Sequence, residues 1–306
     1  MKIIKVLSVL LILCFMLAAC GGPSDNTSAN GGSTSAPDET EPQTIEVTLP
    51  PEGGYSMQEL CFERDGKKIY GELYLPEGNG PFPGIVIGHG LESSVEDTRT
   101  YAIALARYGI AAYAFDFIGG GSEVRSDGDI LEMSVLTEAK DMNVVFDGIR
   151  ALEAIDENNV FLMGLSQGGF VATYVASRRP KDVKGLIGFY PAYGLQDDVK
   201  ERTANGYHIT EETCVVNDVD VGEIYITDIL SFSFFGEMKN YTGSVLIVHG
   251  TEDEVTPLEY SERALRTLQD AELVTIEGAE HGFYDKDARY AAECAALFIW
   301  KKVLTL

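Results

Sequence analysis

Ser166 lies in Gly164-Leu165-Ser166-Gln167-Gly168, a G-x-S-x-G pentapeptide. Such a pattern suits a sharp strand-to-helix turn that lifts a serine hydroxyl into the open as a nucleophile. The flanks agree with that reading. Asn159-Val160-Phe161-Leu162-Met163 is a short apolar run suited to a buried parallel strand, and Gly169 to Ala176 can open a helix. Gly164 and Gly168 fit a turn in which neighbouring backbone must pass close to a strained serine. A serine hydroxyl is a weak nucleophile without a base, and the base needs an acid to orient it.

The chain has 4 histidines, so the search for the base is short. His89 and His249 end the apolar runs Gly84–Gly88 and Ser244–Val248 and each precedes a glycine, positions that suit support of a loop. His208 lies in a polar stretch and reads as surface. His281, in Gly278-Ala279-Glu280-His281-Gly282-Phe283, falls on a loop between the last apolar run and a final helix, and is the expected base. The acid should fall between serine and histidine in chain order. The loop after Val248 offers three carboxylates, Glu252, Asp253 and Glu254, and composition does not separate them. One of the two oxyanion N–H donors should come from the residue after the nucleophile, Gln167.

These residues need a scaffold that holds strand ends together. From about Thr44 onward, strands and helices alternate, which predicts a mostly parallel sheet covered by helices on both faces. Met57–Glu63 and Lys68–Tyr74 read as a hairpin around Arg64-Asp65-Gly66-Lys67. Strands are expected at Ile85–Ile87, Ala111–Phe115, Val160–Met163, Gly185–Phe189, Val245–Val248 and Glu272–Ile276. Helices are expected at Asp97–Tyr108, Leu131–Ile155, Leu258–Gln269 and Asp285–Val303. Residues 191–242 break the alternation and carry an aromatic cluster, Phe232, Phe234 and Phe235.

The pieces taken together resemble the α/β-hydrolase superfamily of serine esterases, from about Glu59 to the C-terminus. The match rests on His89-Gly90-Leu91, Gly164-Leu165-Ser166-Gln167-Gly168-Gly169, His249-Gly250-Thr251-Glu252-Asp253 and Glu280-His281-Gly282-Phe283, in that order. The resemblance implies Ser166 as nucleophile, Asp253 as orienting acid, His281 as general base, and Leu91 beside Gln167 as the second oxyanion donor. The S-Q-G-G and H-G-x forms are most similar to the feruloyl (cinnamoyl) esterase and dienelactone-hydrolase-like branch. Dienelactone hydrolases use a cysteine where this chain has Ser166, which argues against that activity. Phe115–Ser122 stands where many relatives carry D-x-R-G-x-G-x-S, and the Arg is missing here. The resemblance also implies that 191–242 is a lid, in which case Phe232, Phe234 and Phe235 would line a substrate pocket.

The N-terminus suggests where such an enzyme would work. A basic start, Met1 to Lys5, precedes an apolar stretch from Val6 to Ala19 that is short for a bilayer span. Leu17-Ala18-Ala19-Cys20 resembles a bacterial lipobox, with residues 1–19 as signal peptide and Cys20 as the lipidated first residue. Residues 20–50 then read as a Gly/Ser/Thr-rich tether, and 51–306 as the catalytic domain.

The formal net charge of −25 argues against nucleic acid and anionic membrane surfaces as partners, so membrane contact is expected through the lipid anchor only. The 5 cysteines show neither a disulfide framework nor metal spacing. No zinc, phosphate-loop or dinucleotide motif is present, so no cofactor and no metal are expected. The expected activity is a cell-surface carboxylesterase acting on short acyl or hydroxycinnamoyl esters, free or linked to polysaccharide. The alternatives are a serine peptidase of the prolyl-oligopeptidase type and a catalytically silent ligand-binding lipoprotein.

Overall fold

The computed structural model describes residues 47–204 and 213–304. The signal segment, Cys20, most of the tether and His208 lie outside the described residues.

Four short strands open the described chain: β1 (Tyr55–Glu59), β2 (Phe62–Arg64), β3 (Lys67–Ile69) and β4 (Gly71–Pro76). The expected single hairpin is thus two ladders. β2 and β3 close over Asp65-Gly66, whose φ values of 54° and 79° suit a tight two-residue turn. β1 pairs antiparallel with β4. The alternating part follows as β5 (Phe82–Gly88), α1 (Val95–Arg107), β6 (Ala111–Phe115), α2 (Val135–Arg150), β7 (Ile155–Leu165), α3 (Gln167–Arg178) and β8 (Gly185–Phe189).

The expected helix from Leu131 to Ile155 is shorter than its apolar pattern. A 3₁₀ turn at Ile130–Glu132 comes first, and Ser134 then caps α2 in a reciprocal capping box with Thr137. Ile155 already belongs to β7.

Residues 191–242 hold α4 (Leu195–Ala204), the hairpin β9 (Thr213–Val216) and β10 (Val219–Gly222), α5 (Glu223–Leu230) and α6 (Phe234–Met238). The chain then resumes its alternation with β11 (Ser244–Gly250), α7 (Leu258–Thr267), β12 (Asp270–Ile276) and α8 (Asp285–Leu304).

Eight strands form the main sheet in the order β1-β4-β6-β5-β7-β8-β11-β12. From β6 to β12 every neighbour is parallel. β5, β6 and β8 are apolar and buried nearly throughout, as strands covered on both faces must be. One apolar layer joins the sheet to α2, α3 and the insertion through Val86, Phe146, Phe170 and Phe234. The other joins it to α1 and α8 through Ile87, Leu105, Phe161 and Phe298. The sheet order reverses around β5, whose neighbours are β6 and β7, and the loops that follow β5 and β7 open side by side at the carboxyl ends.

Candidate active site

Ser166 occupies the single residue between β7 and α3, with φ 49° and ψ −118°. A positive φ costs a side chain of this type about 1–3 kcal/mol, so the surroundings must enforce it. Ser166 N–H donates to Phe189 O at 3.1 Å, and its carbonyl accepts from Gly169 N–H at 3.0 Å and Ala192 N–H at 2.9 Å. The flanking glycines answer to close backbone. A Cβ on Gly164 would collide with the carbonyl of Gly168, and one on Gly168 with the carbonyls of Gly88 and His89. No other residue type fits a turn this tight.

The structure brings Ser166, His281 and Asp253 together from three loops. His281 Nε2 lies 3.1 Å from Ser166 Oγ, and His281 Nδ1 lies 2.9 Å from Asp253 Oδ2. An ionised carboxylate only accepts, so Nδ1 carries the proton and Nε2 presents a lone pair to the serine. Asp253 is buried, while Glu252 and Glu254 beside it are exposed and reach neither histidine. Its Oδ1 accepts the N–H groups of Val255 at 3.0 Å and Thr256 at 2.8 Å. Burial alone would raise the Asp253 pKa. The bonds from His249, His281 and the Thr256 backbone outweigh it and hold the carboxyl well below the usual range.

The other two described histidines support the loops that carry this constellation. His249 Nε2 lies 2.7 Å from Thr256 O and its Nδ1 2.7 Å from Ser261 Oγ, which pins the acid loop. His89 Nδ1 donates to Gly90 O at 2.7 Å and its Nε2 accepts Phe117 N–H at 3.1 Å. That pattern needs a neutral ring, and burial, opposed by the bond to Gly90, pushes the His89 pKa down. His89 thereby braces the turn at Gly90, where an added Cβ would stand 3.2 Å from Ser166 Cβ.

Leu91, next along that turn, lines the cavity above Ser166. Gln167 is the first residue of α3, where backbone N–H groups have no partner within the helix and the helix dipole favours negative charge. These are the two positions expected to supply oxyanion donors.

The cavity measures about 390 Å³. Tyr101, Tyr190, Phe283 and Tyr284 form its aromatic wall, and Glu92 and Asp97 add carboxylates. Sequence reasoning missed this wall, although Phe283 lies two residues beyond the expected base His281 and Tyr190 directly follows the expected strand Gly185–Phe189. Tyr190 packs edge-on against His281, with ring centroids 4.9 Å apart.

The insertion reaches the cavity through Asn217 and Val219, at the turn between β9 and β10. The three aromatics expected at the pocket pack elsewhere. Phe234 is 1% exposed and stacks on Phe170 at 3.7 Å. Phe232 packs on Tyr174 at 4.8 Å, and Arg263 covers Phe235 at 3.7 Å. Phe170 and Tyr174 lie one and two turns along α3 from Ser166, so Phe232 and Phe234 fasten the insertion to α3 while Phe235 meets α7, and none of the three lines the cavity.

A family model described as serine aminopeptidase, S33 matches residues 81–213, and one described as TAP-like protein matches residues 235–298. No curated protein sequence matches the chain. Among solved structures, Est1E from Butyrivibrio proteoclasticus with bound ferulic acid is similar, with TM-score 0.72 and 24% identity over 80% of this chain and 99% of that one. Alpha/beta hydrolase domain-containing protein 10 from mouse follows the same fold, with TM-score 0.65 and 20% identity over 80% of this chain and 99% of that one. A monoacylglycerol lipase from Paleococcus ferrophilus gives TM-score 0.63 and 20% identity, covering 76% of this chain and 99% of that one.

Proposed function

The chain has the α/β-hydrolase fold, and we propose that it is a serine hydrolase that cleaves carboxylic esters through an acyl-enzyme on Ser166. The observation that carries this reading is the unbroken line from Ser166 Oγ through His281 to buried Asp253. Ser166 Oγ attacks the ester carbonyl as His281 Nε2 takes its proton. The carbonyl oxygen becomes an oxyanion facing the N–H groups of Leu91 and Gln167. His281 returns the proton to the leaving alcohol, and water releases the acyl group by the same route.

The aromatic wall of Tyr101, Tyr190, Phe283 and Tyr284 favours a flat acyl group, and ferulic acid binds the similar Est1E. Short acyl or hydroxycinnamoyl esters are therefore the proposed substrates. The second reading is peptide hydrolysis, favoured by the description of the model that matches residues 81–213. Lipidation of Cys20, with residues 20–50 as tether, would hold the domain outside the cell; the lipobox-like Leu17–Cys20 supports this.

A fluorophosphonate probe should label the purified chain at Ser166 and not label Ser166→Ala. Acetyl, cinnamoyl and long-chain esters, compared with aminoacyl amides, then separate the readings. Faster turnover of the amides would overturn the esterase, and an unlabelled wild-type chain would overturn the nucleophile.

A further inference from the structure

Gln167 carries a second arrangement below its backbone. Its side chain is 2% exposed and enters the space where α2, α3 and α5 meet. Nε2 donates to Glu138 Oε2 at 2.8 Å and lies 3.8 Å from Met133 Sδ. Oε1 accepts the Tyr225 hydroxyl at 2.5 Å. The amide is thus held at both ends, from α2 on one side and from the insertion on the other.

Glu138 is an unusual group to find here. It is fully buried, and its Oε1 has no hydrogen-bond partner among the described residues. The Arg64 guanidinium pairs with Asp141, one turn along α2 from Glu138. An ionised carboxylate in such a place would be costly, whereas a protonated one still accepts the Gln167 N–H. Burial drives the Glu138 pKa well up and the Asp141 charge adds to this, against the bond from Gln167. α5 is also tied to the start of α2, since the hydroxyl of its N-cap residue Ser134 donates to Asp228 at 2.5 Å.

We propose that Glu138 and Tyr225 are positioning residues that clamp the Gln167 side chain and so aim its backbone N–H into the oxyanion hole. Through Tyr225, docking of the 191–242 insertion then helps to set the catalytic geometry. The mechanics are local. Gln167 follows the nucleophile directly, and fixing its side-chain amide restricts rotation of the Ser166–Gln167 peptide plane. The proposal rests on the reading of Ser166 as nucleophile and of Gln167 N–H as oxyanion donor.

The test is a set of variants with kcat counted per titrated active site. Removal of a whole oxyanion donor costs about 100- to 1,000-fold, so loss of its aim should cost about tenfold. Glu138→Leu and Tyr225→Phe should each lower kcat by about tenfold with KM within about twofold. Affinity for a phenylboronic acid, which mimics the tetrahedral adduct, should fall by the same factor as kcat. Glu138→Gln keeps an oxygen acceptor for Gln167 and should stay within about threefold of wild type. Both residues act through one amide, so the double variant should be no slower than about the slower single.

Wild-type kcat per active site in Tyr225→Phe, or a tenfold loss in Glu138→Gln, would overturn the clamp. If Glu138→Leu fails to fold, Tyr225→Phe and Glu138→Gln still decide, since each preserves shape. Failure of the underlying reading shows separately, as ester turnover retained by Ser166→Ala.

Discussion

Replacing Asp253 with asparagine should silence the site while leaving its shape. Asp253 Oδ1 receives two backbone N–H groups, from Val255 at 3.0 Å and Thr256 at 2.8 Å. An asparagine must keep its carbonyl oxygen toward them, because its NH₂ would face donors. The NH₂ then turns to His281 Nδ1, 2.9 Å from the native Oδ2, and donates to it. Nδ1 can accept only by giving up its proton, which moves to Nε2. There it faces Ser166 Oγ at 3.1 Å and removes the lone pair that would have taken the serine proton. The counter-charge for the imidazolium is lost in the same step. The equivalent change in a serine protease triad lowers kcat by about 10⁴, or ~5.4 kcal/mol in barrier. The assay is kcat on p-nitrophenyl acetate for Asp253→Asn, Glu252→Gln and Glu254→Gln, with circular dichroism confirming each fold. The two exposed glutamates should leave kcat within about twofold. An Asp253→Asn enzyme within tenfold of wild type, or an equal loss at 252 or 254, would refute the reasoning.

Three further outcomes follow from the packing and the buried acids. Phe234→Ala should cost about 3–5 kcal/mol in urea unfolding and leave the cinnamoyl-to-acetyl ratio of kcat/KM unchanged; a changed ratio at unchanged stability would return Phe234 to the pocket. Ser166→Gly should abolish activity yet stabilise the fold by roughly 1 kcal/mol, as relief of strain at φ 49° outweighs glycine's entropy; loss of stability would show that the turn is unstrained. Glu138 has a raised pKa in the fold, so its neutral form contributes stability that is whole below the ordinary carboxylate range. That stability drains as pH rises toward the folded pKa, at about 1.4 kcal/mol per pH unit. Asp141, pushed up to about 6 by burial against the pull of Arg64, adds to the same slope, whereas Asp253, with its lowered pKa, acts only below about pH 4. Urea midpoints from pH 5 to 8 should therefore fall less steeply in Glu138→Gln than in wild type, and parallel curves would contradict a neutral Glu138.

The parts of the site that were legible in the sequence are those fixed by backbone geometry. Gly164 and Gly168 announce the turn at Ser166 because any Cβ there meets a carbonyl. His281 and Asp253 stand out because they follow strands whose apolar runs are plain. Asp253 was separable from Glu252 and Glu254 only through the family resemblance, since what distinguishes it is burial and five bonding partners, neither of which a loop's composition shows. The cavity wall was hidden for a different reason. Tyr101 comes from α1 and Tyr284 from the loop before α8, residues far apart in the chain that share no local pattern. Phe232, Phe234 and Phe235 read as pocket residues because aromatics cluster both in binding sites and in packing contacts; α3 offers Phe170 and Tyr174 to Phe232 and Phe234, and α7 offers Arg263 to Phe235. The Glu138–Gln167–Tyr225 clamp joins three elements across long sequence separations, and a buried glutamate within a helix reads from sequence as a solvated one.

An acyl-enzyme mechanism puts a covalent acyl group on Ser166. Rapid mixing of the purified chain with p-nitrophenyl acetate, followed by an acid quench and peptide mapping by mass spectrometry, tests it directly. The expected result is a burst of nitrophenol that does not exceed one equivalent of active sites, with acetyl found on the peptide containing Ser166 and none in Ser166→Ala. Steady turnover with the acetyl group on another residue, or activity in Ser166→Ala above about a hundredth of wild type, would contradict it.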